Sequence, residues 1–89
     1  MREVTLTVDH PVGLHARPAA VFVQTAKQYQ ADVRVKHGER QANAKSILNV
    51  IGLGAGQGAE IVISANGADE DQAIEALVEL ISSNFGGIE

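Results

Sequence analysis

Cysteine is absent from the 89 residues, which excludes a disulfide framework, thiolate metal sites and thiol redox chemistry. Aromatic side chains are scarce as well, with only Phe22, Tyr29 and Phe85 in the chain. Positive charge is in deficit: seven Lys+Arg stand against eleven Asp+Glu, a net charge of -4. The chain therefore offers neither the basic stripe nor the stacking platform of a nucleic-acid binder, and a protein partner or a small anion fits it better. No apolar run approaches the roughly 20 residues of a membrane-spanning helix, since even Ile47 to Ile51 is interrupted by Asn49. A basic-then-apolar leading segment is also missing, which argues against export and for a cytoplasmic protein. A chain of this length has room for one compact domain, residues 1–89, with a modest core.

What is present is a pattern that changes period along the chain. Val4, Leu6 and Val8 alternate with Glu3, Thr5 and Thr7, so residues 2–8 read as a half-buried strand. Asp9 to Leu14, with Pro11 and Gly13, reads as a loop. From Ala16 to about Gln28 the apolar residues Ala19, Phe22, Val23 and Ala26 fall on one helical stripe, and Pro18 suits the first turn, where a missing N–H costs nothing. Alternation returns over residues 31–36, and His37-Gly38-Glu39 turns the chain into a short strand from Arg40 to Asn43. Ser46 stands where a hydroxyl caps a short helix through Ile47, Leu48, Val50 and Ile51, which the glycines from Gly52 to Gly58 end in a flexible exit loop. Glu60 to Ser64 reads as a fourth strand, left through Asn66-Gly67. Asp69 and Gln72 have capping-box spacing for a last helix, which buries Ile74, Leu77, Val78 and Ile81 and stops at Gly86-Gly87. The order βαββαβα predicts an α+β fold: an open-faced two-layer sandwich with a four-stranded antiparallel sheet, helices on one face, and a split βαβ arrangement.

Chemistry concentrates in Gly13-Leu14-His15-Ala16-Arg17-Pro18. A histidine at a helix start meets unpaired N–H groups and the positive end of the helix dipole, so a phosphoryl group on His15 would find donors already aimed at it. Arg17 adds a planar fork that matches phosphate oxygens, and the amides near Ala16 and Arg17 complete the cradle. An acceptor that must also be a good donor has to attack as neutral imidazole, the form the positive helix end favours. An isolated His-x-Arg-Pro is ordinarily a solvated surface histidine; the preceding Gly13-Leu14 and the helix placement count against that reading here, together with a resemblance that covers the whole chain.

These residues, followed some thirty positions later by Lys45-Ser46-Ile47 and a glycine-rich exit, resemble the HPr family over the whole chain. HPr proteins are the histidine-containing phosphocarriers of the bacterial phosphoenolpyruvate-dependent sugar phosphotransferase system. The resemblance implies a carrier that forms a phosphohistidine, not a free-standing enzyme. Enzyme I would charge Nδ1 of His15, and enzyme IIA units of sugar permeases would receive the group, with no bound cofactor. In one branch of the family the serine matching Ser46 is phosphorylated by HPr kinase/phosphorylase, which hinders charging and creates a co-repressor for a catabolite-control transcription factor. Enteric relatives keep the serine without that regulation. The resemblance also implies a partner surface apolar at its centre and rimmed by cations, for which the candidates are Ile47, Leu48 and Ile51 with Arg17, Lys27 and Lys45. Of these, Ile47 and Ile51 share a helical face with Val50 and could equally be core, whereas Leu48 points elsewhere. A regulatory module acting through Ser46, or a nitrogen-branch paralogue charged by a different enzyme I, is the alternative. Nothing in the chain requires more than a monomer.

Other signals fail on context. Gly54-Ala55-Gly56-Gln57-Gly58-Ala59 fits a dinucleotide-binding spacing but precedes a strand instead of joining strand to helix. His10, His15 and His37 lack the spacing of metal ligands, and no nucleophile elbow exists for a serine hydrolase.

Overall fold

The computed structural model of the chain describes residues 1–87. Four strands, β1 (Arg2–Thr7), β2 (Asp32–His37), β3 (Arg40–Asn43) and β4 (Glu60–Asn66), form one sheet in the order β1-β4-β2-β3. Every neighbouring pair is antiparallel, so β1 and β2 run parallel with β4 inserted between them, the split βαβ arrangement. Alternation sends Val33, Val35, Ala42, Ile61, Ile63 and Ala65 into the core, while Thr5, Arg34, Lys36 and Gln41 are exposed on the other face. The helices α1 (Ala16–Lys27), α2 (Ile47–Gly52) and α3 (Glu70–Ser82) cover the buried face, and α4 (Asn84–Gly87) is a short terminal turn. The stripe Ala19, Phe22, Val23 and Ala26 of α1 is buried, as are Ala73, Ile74, Leu77 and Ile81 of α3.

Three local expectations are corrected. Strand β4 runs two residues past Ser64, because it is central and still pairs with β2 through Asp32↔Asn66. Helix α3 stops at Ser82, well before Gly86-Gly87: Asn84 and Phe85 take φ of 57° and 59°, outside the right-handed helix, and Phe85 folds back into the core. Third, Asp69 makes no side-chain cap on α3. Its two oxygens instead accept the N–H groups of Gln30 and Ala31, each at 2.8 Å. Those amides lie just beyond α1 and ahead of β2, where no ladder supplies an acceptor, so two charge-assisted bonds prevail over one cap. These backbone donors, Gln30 first, hold the Asp69 carboxyl below the usual carboxylate range. Glu70 takes up the local role instead, accepting the Gly67 N–H at 3.1 Å, and that bond is the first cause of its own lowered pKa.

Candidate functional site

The site is built on the turn that leads into α1. Residues His10-Pro11-Val12-Gly13 close a β-turn in which the Gly13 N–H donates to the His10 carbonyl at 2.9 Å. Proline in the second position and glycine in the fourth suit such a turn. Gly13 has φ of +71°, and a Cβ there would run into the Ala55 carbonyl oxygen and Gly56, so only glycine fits without movement. Leu14 is fully buried and donates its N–H to the Ala55 carbonyl at 2.8 Å. Next comes His15, in extended conformation (φ -131°, ψ 163°), followed by Ala16 at φ +51°. A non-glycine residue in the left-handed region at a helix start is strained, and it directs the chain abruptly into α1.

The glycine-rich segment after α2 is therefore tied down, contrary to its reading as a flexible exit loop. Ala55 is buried and holds Leu14, while the Gly58 N–H donates to the Val8 carbonyl at 2.7 Å and Ala59 accepts the Val8 N–H at 2.8 Å. Its glycines permit a tight path against the functional turn.

His15 stands at the head of α1, half-exposed, and its side chain does not cap the helix. The first turn holds no acidic residue. The amides of Ala16 and Arg17 have no acceptor within the helix, and Pro18 contributes no donor. Arg17 is exposed, and none of the ion pairs among the described residues involves it. The arrangement is a nucleophilic ring beside backbone donors and a free cation, with nothing anionic on the helix to compete.

The remaining candidates gather towards the other end of α1. Lys27 lies ten residues after Arg17, about 15 Å along the helix axis at 1.5 Å per residue. Lys45 reaches the same end, where its Nζ donates to the Tyr29 carbonyl at 2.7 Å just past the helix. Ser46 caps α2, its Oγ accepting the Asn49 N–H at 3.4 Å. Of the α2 apolar residues Val50 alone is buried; Ile47 and Ile51 are 38% and 37% exposed and Leu48 is 78% exposed. Of the two readings left open for Ile47 and Ile51, the structure favours the surface one: the six-residue α2 buries only Val50 fully. Ile47 lines a groove with Ala20, Val23, Gln24 and Lys27 of α1. The start of α2 lies near the end of α1, where Lys45 binds Tyr29, and the loop after α2 returns to Leu14 beside His15.

Two participants escaped the sequence reading. Ala55 is invisible as a brace because its partner lies 41 positions away. His10 was weighed only as a metal ligand, although the Pro11 and Gly13 signature of a turn starting at His10 was there to be read.

The sequence matches the family described as "PTS HPr component phosphorylation site" over residues 2–83. The chain belongs to the HPr family. Its members are phosphocarriers of the phosphotransferase system, and solved structures agree closely. The crystal structure of HPr-C-His from Thermoanaerobacter tengcongensis is 47% identical with a TM-score of 0.96, each chain covering 100% of the other. Phosphocarrier protein HPr from Bacillus anthracis is 38% identical with a TM-score of 0.87, over 90% of this chain and 95% of that one. Crh, described as a Bacillus subtilis catabolite repression containing protein with a swapped-domain dimer, is 36% identical with a TM-score of 0.75, over 94% and 97% of the two chains. No helix among the described residues is long and apolar enough to cross a membrane.

Proposed function

We propose that the chain carries phosphoryl groups on His15, accepting them from enzyme I and delivering them to enzyme IIA units of sugar permeases in the cytoplasm. The observation that supports this reading is the half-exposed His15 at the acid-free, uncapped head of α1 with Arg17 two residues on. In the forward step the Nδ1 lone pair forms a bond to phosphorus as the bond to enzyme I breaks; in delivery that N–P bond breaks as the IIA acceptor attacks. The phosphoryl oxygens carry the charge in flight, and the Ala16 and Arg17 amides with the Arg17 guanidinium stabilise it without forming a bond that would prevent release. Partners dock on the groove between α1 and α2, through Ile47, Leu48 and Ile51 with Arg17, Lys27 and Lys45 at its margins. Incubation with phosphoenolpyruvate and enzyme I adds one acid-labile phosphoryl group, read by mass, and His15→Ala abolishes it. A stable adduct on any other residue overturns the reading.

The likeness to Crh favours a second, compatible role for Ser46. HPr kinase/phosphorylase with ATP would modify the Ser46 Oγ, adding charge beside the docking groove, and the product would serve a catabolite-control transcription factor. The start of a helix tolerates a phosphate, so the modification changes the docking surface and leaves α2 folded. The test is a second mass shift with the kinase, absent in Ser46→Ala. The working unit is a monomer, tested by light scattering against the dimer described for Crh.

A further inference from the structure

Among the described residues His10 is the one polar side chain in the buried core, 1% exposed, and the relay chemistry gives it no direct part. It nevertheless lies five residues ahead of the phosphoryl acceptor and holds the same turn twice. Its carbonyl accepts the Gly13 N–H, and its ring Nδ1 accepts the Val12 N–H at 3.1 Å. An acceptor at Nδ1 carries no proton, so the bond requires the tautomer protonated only at Nε2. The second bond is the one an aspartate or asparagine makes to the backbone two residues on, with Nδ1 standing where the side-chain oxygen would be. Phe85 packs against the ring in a T-shaped contact, with ring centroids 5.8 Å apart and planes at 82°. Beyond the turn the backbone has little freedom: Leu14 is anchored on Ala55, and His15 and Ala16 follow directly.

We propose that His10 is a positioning residue for phosphoryl transfer, locking the His10–Gly13 turn so that His15 and the strained Ala16 meet the incoming group in one fixed geometry. This rests on the phosphocarrier reading of His15. Because His10 is buried, its loss should alter the transfer step and not docking. Small displacements of a reacting group cost large rate factors, so loss of the Val12 bond should slow charging about tenfold.

Charging by enzyme I and phosphoenolpyruvate is measured for the full chain at varied carrier concentration, for wild type, His10→Leu, His10→Ala and His10→Asn. The expected result is that Leu and Ala lower the maximum rate about tenfold with KM for the carrier little changed. His10→Asn, which keeps an acceptor at the same place, should stay within about twofold of wild type. Amide hydrogen exchange at Val12 and Gly13 should quicken in the Leu and Ala variants and stay slow in Asn. If Leu fails to fold, the contrast between Ala and Asn decides. Folded Leu or Ala variants charged at the wild-type rate overturn the proposal, as does an Asn variant as slow as Ala. A wild type that enzyme I does not charge is a separate result and removes the phosphocarrier reading itself.

Discussion

Helices α1 and α3 are of nearly equal length, 12 and 13 residues, and feed the same core, yet they begin in opposite ways. α3 opens with Glu70 and Asp71 in its first turn, and Glu70 also accepts the Gly67 N–H and pairs with the Met1 ammonium at 3.0 Å. Negative charge there offsets the positive end of the helix dipole. Neither helix has a side-chain cap, but α1 opens with no acid and with its first residue, Ala16, at φ +51°. One start carries negative charge of its own; the other carries none, which suits the anion that the proposed function would bring to it. The contrast separates what stabilises a helix from what equips it for chemistry.

Exchanging the two kinds of start should break the comparison most sharply. Arg17→Glu gives α1 the carboxylate that α3 already has. Charging by enzyme I should fall by about 10²-fold or more, the scale seen when a charge-stabilising donor is lost. The melting temperature should hold or rise, since a carboxylate in a first turn contributes about 0.5 kcal/mol. A large loss of stability would refute the view that this helix start is open for function. The next effect belongs to a cap within the folded frame: Ser46→Ala should cost about 1 kcal/mol in denaturant melts, with charging at His15 retained. Asp69→Asn tests a carboxylate that serves two helices' connections. Its folded-state pKa lies below the ordinary 3.8, so its contribution is fully present above that value and disappears as pH falls through the lowered one. The variant should be less stable at neutral pH and should show a shallower acid-induced loss than wild type. The smallest change is expected from Glu70→Gln, whose exposed pairing with Met1 should fade in high salt, so that variant and wild type converge there.

Elements whose evidence is local could be read from sequence. The alternation of Val33 and Val35 and the stripe of Ala19, Phe22, Val23 and Ala26 report burial directly, and Pro18 marks the start of α1 within its first turn. Ser46 also caps as its position implies. What escaped depends on partners distant along the chain. Asp69 has the spacing of a cap, but amides 38 and 39 positions earlier outcompete the local one. The glycines of the 52–58 segment suggest slack, and only the folded turn around Leu14 shows why tight backbone is needed there. The left-handed Ala16 has no signature at all, since alanine ordinarily favours the right-handed helix.

The bonds from Asp69 to Gln30 and Ala31 bear on folding as well as on strength. Asp69 follows β4 and its two donors precede β2, so the contact closes one end of the central β2–β4 pair. A slip of one residue between β2 and β4 would turn Val33 and Val35 to the wrong face and carry both amides out of the carboxylate's reach. The side chain thus works as a clasp that closes on one alignment only, with Gly67 packed so near Ala31 that a Cβ there would strike its backbone. Misaligned chains would be recognisable by an Asp69 that titrates like any carboxylate in water.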